Sequence, residues 1–196
     1  MKTRLATVLG DDRACALHRA FVLDLADRLA SLPYDVTWAY TPAAAPFPAL
    51  LPNARCVAQV GDDLGARMAH AVATAFAEDS TPVVVLGADV PHIPAACLQE
   101  AAGMVGPRVV VGPAEDGGYY LIGLARPMPE LFVNVPWGSD AVLETTRTRA
   151  LGLGLTMHLL PPTFDIDEPA DLERLRQLLQ QGVVALPRTA ALLATM

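Results

Sequence analysis

The chain has 196 residues, of which 53% are apolar and 18% charged, and a formal net charge of −7. Its length suits one α/β domain spanning residues 1–196 with a sizeable core, and its acidity opposes binding to a nucleic-acid backbone, which draws affinity from clustered cations. No apolar run reaches the roughly 18 residues of a membrane span, and Met1-Lys2-Thr3-Arg4-Leu5 leads into no signal-peptide pattern, so a cytoplasmic protein is expected.

The first element is an amphipathic helix over Asp11 to Leu32, with Leu17, Phe21, Leu25 and Leu29 on one face. Tyr34 to Tyr40, rich in aromatic and β-branched residues between prolines, reads as a strand, and the Pro-rich stretch Thr41 to Pro52 as a loop. Helical spacing returns over Leu64 to Ala77, after a Gly61-Asp62-Asp63 break able to cap it. Val83 to Leu86 is an unalternating aliphatic run, the pattern of a strand covered on both faces, and a central position in the sheet is expected. A short helix over Pro94 to Met104, strands over Arg108 to Val111 and Tyr119 to Leu124, and a helix over Ser139 to Leu151 with Ser139 as its N-cap follow. Leu155 to Leu160 is a further strand, Glu168 to Gln181 a helix, and the tail beyond Gly182 a short helix. Alternating strands and helices predict a three-layer α/β/α sandwich with a mostly parallel sheet, whose ligands sit beyond the carboxyl ends of the strands. Cys15, Cys56 and Cys97 are odd in number and widely spaced, and read as small core residues.

Three acidic segments fall where such a fold binds ligands. Val83 to Leu86 runs into Gly87-Ala88-Asp89-Val90-Pro91, which delivers one carboxylate to a strand end; Asp89 either binds a hard cation such as Mg²⁺ or Mn²⁺, which takes its other ligands from water and phosphate, or caps the helix after Pro91 or braces a turn. In Gly112 to Tyr120, Glu115-Asp116 precedes Gly117-Gly118, which serves either a close backbone approach to a ligand or an ordinary turn. In Phe164 to Leu172, Asp167 and Asp171 suit the positive end of a helix dipole, whereas Asp165 points away from Ile166 in an extended segment and reaches the same cation directly or through its ligands. His92, next to the Asp89 segment, reads as a surface loop residue. No Ser-His-Asp arrangement or Gly-Lys-Ser/Thr phosphate loop is present.

Together, Lys2 to Leu5, Gln59 to Met68, Leu86 to Pro91, Gly112 to Leu124, Trp137-Gly138-Ser139, Asp165-Ile166-Asp167 and Asp171-Leu172 resemble a bacterial glycosyltransferase family of the GT-A superfamily. That family is related to the nucleotidyltransferases that make molybdenum-cofactor and phospholactate guanylyl derivatives. The resemblance implies a nucleotide-diphospho-sugar transferase-like fold with nucleotide across the carboxyl edge of its sheet. It gives Asp89 the role of metal-binding aspartate, places Lys2 and Arg4 in a phosphate-contacting loop and Arg67 near the nucleotide, and turns Asp116, Tyr119 and Trp137 toward the acceptor, with Asp116 as base. The resembling proteins carry a first strand and a glycine-containing loop before the Lys-Thr-Arg-Leu segment; this chain lacks that usual first strand, and a start upstream of Met1 is expected. The implied activity is sugar transfer from a nucleotide-diphosphate donor to a small-molecule acceptor with a divalent cation. The alternatives are nucleotidyl transfer from a nucleoside triphosphate to a phosphorylated small molecule, or a non-catalytic nucleotide-binding remnant.

Overall fold

The computed structural model describes residues 3–196. In chain order the elements are α1 (Thr3–Leu9), α2 (Asp11–Ala30), β1 (Thr37–Tyr40), β2 (Arg55–Ala58), α3 (Leu64–Ala77), β3 (Val83–Leu86), α4 (Ala95–Met104), β4 (Arg108–Pro113), β5 (Tyr119–Leu124), α5 (Val142–Gly152), β6 (Thr156–Leu159), α6 (Pro169–Gln180) and α7 (Pro187–Leu193), with 3-10 turns at Phe47–Ala49 and Pro129–Leu131. The four-stranded sheet has the order β3-β5-β4-β6. In it β4 and β6 are parallel, while β5 runs antiparallel to both β3 and β4, so β3, β4 and β6 share one direction. β1 and β2 form a separate parallel pair. No helix among the described residues is long and apolar enough to cross a membrane.

Alternation along the strands divides the core by face. Val109 and Val111 of β4, with Ile122 and Leu124 of β5, pack toward Val72 of α3 and Ala150 of α5. On the opposite face Val110 and Leu121 meet Cys97, Leu98 and Ala101 of α4, with Leu29 and Leu32 at or just beyond the end of α2. A third cluster joins Leu5 of α1, Leu17 and Phe21 of α2, Leu172 and Leu175 of α6, and Leu193 of α7. The result is the helix-sheet-helix layering expected of an α/β chain.

Four expectations change. β3 lies at the end of the four-stranded sheet rather than at its centre, and all four of its residues are only half-buried; an aliphatic run reports covered faces and is silent about edges. β2 is an additional strand, because Arg-Cys-Val-Ala carries too weak a propensity to announce itself without its partner β1. Helix α5 begins at Val142 after an Ala141 N-cap, and Ser139 instead donates to the Pro136 carbonyl at 2.8 Å within the preceding turn. Cys97 is buried and Cys56 half-buried, but Cys15 is exposed on α2.

Helix α7 is anchored by a buried carboxylate from another helix. Asp24 of α2 has no exposed side-chain surface, and it accepts from Arg188 N at 3.1 Å and Thr189 N at 2.8 Å. These are donors of the first turn of α7, which no residue within that helix satisfies. Asp24→Ala is therefore expected to leave two backbone donors without their acceptor and to lower stability by roughly 3 kcal/mol in urea denaturation; a loss no larger than that of an exposed substitution would contradict this anchoring.

Candidate functional site

Three strand ends converge on one segment. The Asp89 carbonyl, just beyond β3, accepts from Ile166 N at 3.1 Å. Thr163 N donates to Pro113 O at the end of β4, and Glu115 N returns a bond to Thr163 O at 2.9 Å, so the loop after β4 lies against the chain that follows β6. Phe164 and Ile166 are buried in the core. Asp165, between them, is half-buried. The Asp89 side chain is 44% exposed. It does not cap α4, whose N-cap is Pro94.

Helix α2 runs along the Asp89 loop. His18 Nε2 lies 3.6 Å from Asp89 Oδ1. Further along the helix, Arg28 forks across the loop, Nη1 donating to Pro91 O and Nη2 to Ile93 O. Burial lowers the Arg28 pKa, and Asp24 partly opposes that shift. Between the two clamped carbonyls sits His92, which is buried rather than at the surface. Its ring lies 4.4 Å from that of Phe164, and its Nε2 is 3.0 Å from Thr163 Oγ1. Burial, followed by the positive charges of Arg28 and Arg174, pushes His92 down from 6.5 to about 4. On the other side of Phe164, the Arg174 guanidinium stacks 3.7 Å from the ring centroid and holds Glu115 with two 2.8 Å bonds.

The remaining sequence-derived residues fall into separate places. Lys2 lies outside the described residues. Arg4 is on helix α1 rather than in a loop, and pairs with Glu168 at 3.1 Å, three residues beyond Asp165. Asp171 serves the start of α6, its Oδ2 accepting from Glu168 N at 2.8 Å. Arg67, in the first turn of α3, donates through Nε to Gly61 O at 3.0 Å. Asp116 is exposed and its Oδ1 accepts from Gly118 N at 2.9 Å, closing a turn at Gly117. Gly117 has φ +88, and a Cβ there would come within 2.3 Å of the Asp140 carbonyl, so both the turn and the close approach demand glycine. Tyr119 packs edge-on to Trp137 at 6.1 Å between ring centroids, with its hydroxyl buried on the side of Thr146. Burial raises the pKa of that phenol. Trp137 in turn abuts Gly65 at the start of α3.

The structure thus brings Asp89, Asp165, Arg4 and the Asp116 loop around one strand-end segment, and gathers Tyr119 and Trp137 beside α3. His18, Arg28 and Arg174 join the site without having been singled out for it, because each acts through a partner distant in sequence. Among the described residues no group of three or more His, Cys, Asp and Glu side chains forms a metal site. One or two carboxylates at a strand end nonetheless fit the way Mg²⁺ and Mn²⁺ are held against phosphates, with water and substrate completing the shell.

The layered α/β architecture is that of a nucleotide-diphospho-sugar transferase-like fold, as similarity to solved structures shows. Residues 22–139 match the family described as "Uncharacterized protein conserved in bacteria (DUF2064)", and the chain belongs to that family. A crystal structure described as a "putative nucleotide-diphospho-sugar transferase" from Desulfovibrio desulfuricans G20 is similar over 100% of this chain and 88% of its own, with 36% identity and a TM-score of 0.91. CMP:2-keto-3-deoxy-manno-octonic acid synthetase complexed with CTP shares the fold at 12% identity and a TM-score of 0.57, over 83% of this chain and 88% of its own. No curated protein matches the chain. The family resemblance read from the motifs holds.

The depressed His92 has a consequence for stability. As pH falls below 6.5 the unfolded chain takes up this proton while the folded one resists until about 4, so the stability from neutral His92 is complete above 6.5 and is lost through that window. Between pH 7.5 and 4.5 the wild type is expected to lose roughly 2.5 kcal/mol more than His92→Gln in urea denaturation; equal losses would contradict the buried neutral imidazole.

Proposed function

We propose that this protein is a glycosyltransferase-like enzyme that moves a sugar from a nucleotide-diphosphate donor to a small acceptor, with Mg²⁺ or Mn²⁺ held by Asp89 and Asp165. The observation that carries this reading is the exposed Asp89 carboxylate at a strand end, fixed by the Ile166 bond and flanked by α2. The full-length similarity to a nucleotide-diphospho-sugar transferase-type protein supports it.

In this reaction an acceptor hydroxyl oxygen bonds to the anomeric carbon of the sugar, and the bond from that carbon to the donor diphosphate breaks. Held by Asp89 and Asp165, a cation would neutralise charge on the departing nucleoside diphosphate. Arg4 and Lys2 assist it; the exposed Arg4–Glu168 pair is weak enough for Arg4 to exchange its carboxylate for a phosphate. Arg67 borders the nucleotide. Asp116 takes the acceptor proton, its Oδ1 already oriented by the Gly118 amide. Trp137 forms a wall of the acceptor side, and Tyr119, with its hydroxyl buried, supports that wall from behind.

A second reading is nucleotidyl transfer to a phosphorylated small molecule, favoured by the fold shared with the CTP-complexed synthetase. The released product separates the two: nucleoside diphosphate for sugar transfer, pyrophosphate for nucleotidyl transfer.

A thermal-shift screen of nucleotides and nucleotide sugars with and without Mn²⁺ tests the binding claim. The wild type is expected to show a Mn²⁺-dependent rise in Tm, and Asp89→Asn to weaken that binding at least tenfold, about 1.4 kcal/mol; an undiminished Mn²⁺-dependent shift in the variant would remove Asp89 from the cation site. Asp116→Asn is expected to lower kcat by about 10²–10⁴-fold while leaving donor affinity near that of the wild type, as loss of a general base requires. Unchanged turnover would exclude it as the base.

A further inference from the structure

Asp89 and His92 sit on a loop that has little regular structure of its own. The loop leaves β3 at Leu86 and reaches α4 at Ala95, and its internal backbone bond runs from Ile93 N to Val90 O at 3.1 Å. Such a segment has few means of fixing a carboxylate to the accuracy that cation and phosphate binding demand. Its further ties come from outside: Gly87 N on the Tyr120 carbonyl, Ile166 N on the Asp89 carbonyl, His92 on Thr163, and α2 along its length. Ten residues of helix span about 15 Å, enough for α2 to meet the loop at both ends, with His18 at Asp89 and Arg28 at Pro91 and Ile93.

The Arg28 contact has a form that a lysine cannot reproduce. A guanidinium presents parallel donors in a rigid plane, and here the two terminal nitrogens go to separate carbonyls that flank one residue, His92. The side chain bridges Pro91 and Ile93 and so restricts the backbone between them. Because these carbonyls are uncharged, the bridge is a charge-assisted hydrogen-bond fork rather than an ion pair. The fork also leaves His92 facing Thr163 and Phe164, which connects the loop to the segment carrying Asp165.

We propose that Arg28 is a positioning residue of the Asp89 site, holding the loop after β3 against α2 so that the Asp89 carboxylate is set in place before the nucleotide arrives. The consequence for binding rests on the transferase reading above, while the hold on the loop stands on geometry alone. Preorganisation of this kind shows in affinity, because a loose loop has to be ordered when the ligand binds.

The test uses the full chain with Arg28→Lys, which keeps the charge and loses the fork, and Arg28→Gln, which keeps one donor group without charge. Arg13→Lys, at an exposed position of the same helix, is the control. Amide hydrogen exchange is followed at Ile93 and Ile166, whose N–H groups bond within and onto the loop, with Val72 in α3 as a reference. Mn²⁺-dependent binding of ADP, CDP, GDP and UDP is measured separately by calorimetry. Both Arg28 variants are expected to exchange at least tenfold faster at Ile93 and Ile166 with little change at Val72, and to bind the preferred Mn²⁺–diphosphate at least tenfold more weakly, while Arg13→Lys behaves as wild type. A purely structural tie would raise exchange equally at all three amides through a common loss of stability and leave affinity unchanged at temperatures where the variants are folded; that result overturns the proposal. Unchanged exchange at Ile93 and Ile166 overturns it as well. If the wild type binds none of the four diphosphates with Mn²⁺, the transferase reading fails, and the exchange rates alone decide whether Arg28 holds the loop.

Discussion

A backbone hydrogen bond from Ile166 N to the Asp89 carbonyl brings the segments that carry Asp89 and Asp165 side by side. Such a bond contributes only about 1 kcal/mol net to stability, yet its geometric effect is large. It joins the chain leaving β3 to the chain arriving from β6, across a sheet in which β5 and β4 lie between those strands. The bonds among Pro113, Thr163 and Glu115 draw the loop after β4 to the same segment. Once these ties exist, Asp89, Asp165 and the Asp116 turn border one region, and α2 closes over it through His18 and Arg28.

The electrostatics of that region follow from which cations are already engaged. Arg4 is paired with Glu168, Arg174 with Glu115, and Arg28 with two carbonyls. A diphosphate approaching such a surface meets carboxylates and cations that are already occupied. On the proposed reading a divalent ion compensates, because it converts the Asp89 carboxylate from a repulsive group into a ligand shared with phosphate. The neutral state of His92 fits the same pattern: Arg28 and Arg174 flank it, and burial denies it a further positive charge.

Much of the architecture was legible in local patterns. Leu64–Ala77, Val83–Leu86 and Tyr119–Leu124 coincide with the periodicity or aliphatic runs that announced them, and Asp63 caps α3 by accepting from Ala66 N at 2.7 Å. Asp89 stood out because a strand that ends in a lone carboxylate is visible in a few consecutive residues. What stayed hidden depends on distant partners. β2 is a strand because β1 lies beside it, and β3 is an edge because β5 pairs with it on one side. His92 is buried because Phe164 and Thr163 cover it, and Arg28 matters because of two carbonyls more than sixty residues away. No window of local sequence contains those pairings. The Asp116 turn and the Tyr119–Trp137 contact were visible as residues, but the roles the resemblance implies for them depend on an acceptor whose shape is written in no one segment.

The central claim is that the Asp89 carboxylate meets a divalent ion bound to a donor's diphosphate, and anomalous diffraction from crystals grown with Mn²⁺ and a nucleoside diphosphate tests it most directly. The account predicts a Mn²⁺ peak within coordination distance of an Asp89 carboxylate oxygen, with phosphate oxygens completing the shell on the side away from the sheet. A nucleotide bound with its Mn²⁺ coordinated elsewhere, and Asp89 still beside His18, would contradict it.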